Sequence, residues 1–129
     1  MQIIKKNLKE GEIVVKIDNA EDLWYINQLV NPGDLVSGRT ERKIKLGDEG
    51  DRKQAVIKKS VFIQLKVEKV EFQKYSDSLR IGGVIVSAPE DIPRGSHHTL
   101  SLEPGVSLGI QKDSWMRYQI EKLEEATQK

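Results

Sequence analysis

Polar and apolar positions alternate along most of this chain, and only two stretches lengthen the period toward a helix. Gln2 to Lys6 and Gly11 to Ile17 are short apolar runs joined by Asn7-Leu8-Lys9-Glu10-Gly11, the pattern of a β-hairpin. Leu23, Ile26, Leu29 and Val30 then recur at helical spacing. Asp18 or Asn19 can cap that helix, and Glu21 and Asp22 occupy its first turn, where the helix dipole favours negative charge. Asn31-Pro32-Gly33-Asp34 ends it in a type II turn, with Pro at the second position and Gly supplying a positive φ at the third.

Two long strand patterns follow. From Leu35 to Lys45, Val36, Gly38, Thr40 and Ile44 share one face, while Arg39, Glu41 and Lys43 share the other. Leu46 to Lys53 is polar, carries two glycines and reads as a mobile loop. From Ala55 to Phe72, Val61, Ile63, Leu65 and Val67 have one parity, but Val70 and Phe72 have the other. A phase change inside one strand requires a bulge, placed near Glu68-Lys69. Such a long bent strand is what a small, nearly closed barrel needs. Leu79 to Ile85 continues the sheet, with a kink at Gly82-Gly83. A loop with Pro89 and Pro93 leads to a strand over His98–Leu102. Glu103-Pro104-Gly105 turns the chain into another strand, Val106–Ile110. Asp113 or Ser114 caps a final helix containing Trp115, Ile120 and Leu123. The domain thus spans 1–123, and 124–129 reads as the start of a linker.

With 129 residues the chain fits one domain. Hydrophobic residues make up 37% of the chain and aromatics only 5%, so the core must be aliphatic. Charged residues reach 32% but cancel to a net +1, so any electrostatic attraction has to be local. The absence of cysteine removes disulfides, thiolate metal sites and cysteine nucleophiles. No apolar run approaches a membrane span or a signal peptide, and the expectation is a cytoplasmic, soluble domain.

Catalytic patterns are sparse. Gly82-Gly83 lacks the rest of a phosphate-binding loop. His97 and His98 are neighbours on a strand and must face opposite ways, so His98 reads as a packed, hydrogen-bonded residue. Ser96 beside His97 is a spacing without geometry. Asp18, Glu21 and Asp22 form the best acidic cluster. They could hold a divalent cation for phosphodiester cleavage, but helix capping is the simpler reading. Trp24 and Trp115 could stack on bases, although core packing or a helix-to-sheet contact accounts for both.

Charge is unevenly placed. Between Gly38 and Lys59 there are eight basic residues (Arg39, Arg42, Lys43, Lys45, Arg52, Lys53, Lys58 and Lys59) against four acidic ones. The rest of the chain is net acidic. A basic hairpin on an acidic body would attract phosphates by counterion release, and a glycine-bearing loop could adapt to irregular RNA. A charged edge that blocks sheet-to-sheet association is the other reading.

Three stretches together resemble the N-terminal domain of the Pelota family, paralogues of class-one release factors in archaea and eukaryotes. They are Glu21-Asp22-Leu23-Trp24; Pro32-Gly33-Asp34-Leu35-Val36 with Gly38-Arg39-Thr40-Glu41-Arg42-Lys43-Ile44; and His98-Thr99-Leu100-Ser101-Leu102-Glu103-Pro104 with Lys112 and Trp115. Tyr25, Asn27 and Gln28 depart from the family pattern after the tryptophan. The resemblance implies a β-rich α+β fold, an Sm-like, strongly bent antiparallel β-barrel with one inserted helix and a C-terminal helix. It implies the first domain of a ribosome-rescue factor acting in no-go mRNA surveillance, with the hairpin Arg39 to Lys59 in the decoding site against small-subunit rRNA and mRNA. In the full-length protein a translational GTPase and a twin-ATPase recycling factor would be partners, and no cofactor would be required. It also carries a second reading, a metal-dependent endoribonuclease, for which Asp18, Glu21 and Asp22 would be the catalytic candidates and a divalent cation the cofactor. A ring-forming Sm-like RNA binder is a third; the expectation here is a monomer.

Overall fold

A computed structural model describes residues 1–46, 55–73, 75–89 and 92–128, of which 42–46 and 55–57 by backbone alone. Its strands are β1 (Gln2–Asn7), β2 (Glu12–Lys16), β3 (Leu35–Leu46), β4 (Ala55–Gln73), β5 (Ser78–Ser87), β6 (His97–Leu102) and β7 (Ser107–Gln111). Helix α1 (Ala20–Leu29) is inserted between β2 and β3, and α2 (Arg117–Thr127) closes the described chain. The strands form one antiparallel sheet in the order β1-β2-β7-β3-β4-β5-β6. That sheet is strongly bent. β3 and β6 lie three places apart in the strand order, yet they touch, and Thr40 Oγ1 and His98 Nε2 share a 2.9 Å hydrogen bond.

The bend has its cause in β4. This strand pairs with β3 over Ala55–Lys66 and with β5 over Gln64–Gln73. Glu68 is the extra residue of a bulge, since Val67 pairs with Gly83 and Lys69 with Gly82. The parity change legible in the sequence falls there. Gly83 faces the bulge so closely that a Cβ on it would collide with the Lys66 carbonyl. Gly82 stands in more open space, where a Cβ would meet only Thr99 Oγ1 at 3.5 Å.

Inside the bend the core is aliphatic, as composition requires. Ile13, Val15, Val61, Ile63, Leu65, Leu79, Ile81, Leu100, Leu102, Leu108 and Ile110 are buried from the sheet. Leu23, Ile26 and Leu29 of α1 and Leu123 and Ala126 of α2 cover it. Each such side chain is worth about 2 kcal/mol of apolar burial.

The chain's two ends are tied by polar contacts. Asn19 caps α1, accepting from the Asp22 N–H at 3.1 Å, and Asp22 Oδ2 accepts from the N–H groups of Asp18 (2.8 Å) and Asn19 (3.2 Å). The same carboxylate lies 2.8 Å from the buried Met1 ammonium, and Asp18 Oδ2 lies 3.0 Å from it. Burial disfavours charge on that amine, but the two carboxylates outweigh it and raise its pKa. The amine in turn holds the Asp18 carboxyl below its ordinary value.

At the other end, the Lys112 ammonium pairs with Asp34 in a largely buried contact and lies 5.4 Å from the centre of the Trp115 ring. Asp34 also accepts from the Asn31 N–H at 2.8 Å, closing the turn after α1, where Gly33 has φ +95°. The Trp115 indole donates to the Gly11 carbonyl at 2.7 Å, and the Lys112 N–H donates to the same oxygen at 3.0 Å.

These bonds correct the expected cap of α2. Neither Asp113 nor Ser114 caps it, and Trp115 precedes it, because 112–115 are held against the Gly11 turn. Met116 is the N-cap, and its N–H donates to Gln119 Oε1 at 2.8 Å. The helix also runs through 124–127, where the sequence suggested no structure, because Ala126 continues its buried stripe. Among the described residues no helix is long and apolar enough to cross a membrane.

Three outcomes test this packing. Gly83→Ala should lower stability by about 2 kcal/mol in urea denaturation, because the bulge must open, while Gly82→Ala should change it little. Asp22→Ala should cost about 3 kcal/mol, since it leaves two backbone donors unpaired and the buried Met1 ammonium with Asp18 alone. The raised amine contributes stability that is fully present below its unfolded value of 8.0 and is lost as pH climbs through the folded value. Stability measured against pH should therefore fall above 8 for a chain with a free Met1 amine. N-terminal acetylation should abolish that alkaline slope; an unchanged slope would refute the assignment.

Candidate nucleic-acid interface

β3 pairs with β7 only over Leu35–Ser37, and β4 pairs with β5 only from Gln64 onward. Between those anchor points Gly38–Leu46 and Ala55–Ile63 pair with each other and, among the described residues, with no third strand. At the root of this ribbon Gly38, Val61 and Ile63 are still buried. From Glu41 and Ser60 outward the ladder continues through Leu46 and Ala55, roughly 17 Å of two-stranded ribbon.

The register fixes where the basic residues stand. Arg42 is directly opposite Lys59 and Lys43 directly opposite Lys58, so two cross-strand pairs set like charge against like. Arg39, Lys58 and Lys59 are exposed. Lys45 belongs to β3 at a position opposite Val56. Of the expected mobile loop, Leu46 belongs to β3, and the rest, with Arg52 and Lys53, lies outside the described residues. The structure thus brings Arg39, Arg42, Lys43, Lys45, Lys58 and Lys59 onto one ribbon.

The inner half of β4 treats charge differently. Lys69 pairs with Glu71 at 2.6 Å, and that contact holds the Glu71 carboxyl below its ordinary value. Glu68 lies 3.2 Å from the exposed His97. His98, one residue on, turns the other way to Thr40, as adjacent strand positions must. With Arg80, Thr99 and Ser101, Lys69 and Glu71 line a shallow groove of about 370 Å³ whose charges are mixed.

The other candidates resolve as follows. Asp18 and Asp22 face the Met1 ammonium, and Glu21 is exposed in the first turn of α1. Among the described residues no group of three histidine, aspartate or glutamate side chains is placed to hold a metal ion. Trp24 is 48% exposed, with its ring edge-on to Phe72 of β4 at 5.9 Å, a helix-to-sheet contact rather than core. Trp115 is part-buried against the Gly11 turn. Phe62, which no sequence motif marks, is exposed and directly opposite Arg39. Its only sequence signal is a parity opposed to that of Val61 and Ile63.

Comparison with known proteins agrees with this architecture. A family model described as the Pelota N-terminal domain matches residues 1–127. A protein pelota homolog of Pyrococcus horikoshii is 38% identical over 99% of this chain and 36% of its own length. One of Methanococcus vannielii is 40% identical over 98% of this chain and 36% of its own length. Among solved structures, one described as a model of ribosome-bound archaeal Pelota and ABCE1 aligns with TM-score 0.79 at 36% identity, over 98% of this chain and 36% of that one. The crystal structure of Archaeoglobus fulgidus Pelota aligns at 0.74 and 30% identity, over 99% of this chain and 33% of that one. Yeast Dom34, at 23% identity and TM-score 0.72 over 98% of this chain and 33% of its own, shares the fold. This chain spans about a third of the length of these relatives, and it belongs to the Pelota N-terminal domain family.

Proposed function

We propose that this domain serves a ribosome-rescue factor by laying the β3–β4 ribbon along RNA phosphates in the decoding site of a stalled ribosome. The observation that carries this is the register of basic residues on a ribbon that has left its sheet. The register opposes Arg42 to Lys59 and Lys43 to Lys58, which gathers positive charge along the ribbon. Such a row suits a polyanion, because neutralising each phosphate releases condensed counterions. Such contacts give affinity and position without reading sequence, which suits a factor acting wherever a ribosome has stopped. Family membership supports the reading, as does the relative described as ribosome-bound together with ABCE1. In the full-length protein a translational GTPase would deliver the factor, and a twin ATPase would act with it to split the subunits, in the cytoplasm and as part of no-go surveillance.

The endoribonuclease reading finds less in the geometry. Asp22 Oδ2 already receives two backbone N–H groups and the Met1 ammonium, and Asp18 shares that ammonium. Those carboxylates serve the fold, so an inactive Asp22 variant would have to be shown folded before it said anything about catalysis.

Reversal of Arg39, Arg42 and Lys43 to Glu separates function from fold. Association with stalled ribosomes at low salt should fall about 100-fold. Stability should hold or rise by a few tenths of a kcal/mol, because Glu at 42 and 43 would face Lys59 and Lys58. Binding that survives the triple reversal would remove the ribbon from the mechanism.

A further inference from the structure

We infer that Phe62, with Arg39 beside it, is a stacking platform for one unpaired base of single-stranded RNA at the root of the basic ribbon. The inference rests on the ribbon reading above and adds a contact to the base, where that reading needs only phosphates.

Phe62 is 56% exposed although Val61 and Ile63 on either side are buried, so its ring stands on the outer face of β4. The exposed half of the ring is open to a ligand. The register places it directly opposite Arg39, which is exposed on the same face. Together with Gly38, Gly105, Val106 and Ser107, the two residues line an open groove of about 500 Å³. Its other walls are low. Gly38 and Gly105 present no side chain, and a Cβ on Gly105 would meet nothing within 4 Å. A flat ligand could therefore lie against the ring without displacing anything.

Position decides which flat ligand. On the Phe62 face, Ser60 and Lys58 come outward along β4, and Glu41 and Lys43 come outward along β3 from Arg39, with Arg42 and Lys59 on the opposite face. A strand whose phosphates follow those cations brings its bases past the root of the ribbon. An aromatic face flanked by a guanidinium is the combination that holds a base in sequence-tolerant single-strand binding. Trp24, also half exposed, sits on α1 with its edge against Phe72, away from the ribbon's ladder.

The test uses this chain and two fluorescent probes of equal length, a short oligouridylate and an abasic ribose-phosphate oligomer, titrated at low salt. Phe62→Ala and Phe62→Leu should each weaken oligouridylate binding about tenfold, the ordinary worth of one base on one aromatic ring. Neither should alter binding of the abasic probe. Phe62→Trp should retain affinity, and its emission should be quenched by oligouridylate. Thermal melts should overlay those of the parent chain, since the ring is outside the core. Equal losses on both probes, or no loss on either, would overturn the stacking inference. Lys58→Glu with Lys59→Glu must weaken both probes; if it does not, the ribbon reading itself fails. Should Phe62→Ala spare RNA binding but convert a dimer to a monomer in sedimentation, the face covers a second copy of the chain and the inference is wrong.

Discussion

One strand is asked to belong to two places, and the rest of the molecule follows from that constraint. β4 gives its inner part to β5 and its outer part to β3, overlapping only over Gln64–Lys66. The Glu68 bulge lets it do so, by reversing which side chains face inward and by bending the strand toward Gly83. The bend brings β6 round to β3 and encloses an aliphatic core. The unshared outer part leaves as a ribbon that no neighbour completes among the described residues. Two-stranded ribbons are marginal in water. This one is held at its root by Val61 and Ile63 in the core, and it carries opposed basic positions further out. Stability is concentrated at the base and charge toward the tip, a division that fits a part built to meet something else.

The polar clusters at the two ends of the chain belong to a different category. Asp22, Asn19 and Met1 close the start of α1, while Asp34, Lys112 and Trp115 lock the turn after α1 to the segment before α2. Several residues that carry the family resemblance, Asp22, Gly33, Asp34, Lys112 and Trp115 among them, sit in these clusters. In this chain they hold the fold together. The basic ribbon, by contrast, makes sense through charge and register, and its residues owe little to the core.

Much of this was legible from periodicity. The hairpin at the start, the Pro32-Gly33 turn and the bulge near Glu68-Lys69 each follow from a local rule that tertiary packing did not override. His98 could be read as a packed residue because parity alone sets it against His97. The misreadings share a cause. Trp115 looked like part of a helix and Asp113 like its cap, because nothing local announces that an indole will reach the carbonyl of Gly11, some hundred residues earlier. The helix end was set too early at 123 because Ala126 is a weak apolar signal on a charged segment. Phe62 was invisible for a similar reason. Its importance depends on the residue opposite, and register between strands separated by a loop is not written in either strand alone.

If the ribbon meets phosphates, its binding must depend on salt. Association of the factor with stalled ribosomes, plotted as log affinity against log salt, should fall steeply, with about 0.7 to 0.9 added to the slope for each phosphate neutralised. A factor whose ribbon cations are replaced by neutral residues should show a shallower line by several such steps. Superimposed lines for the two proteins would contradict the account, because the ribbon would then contribute no ionic contacts to the complex.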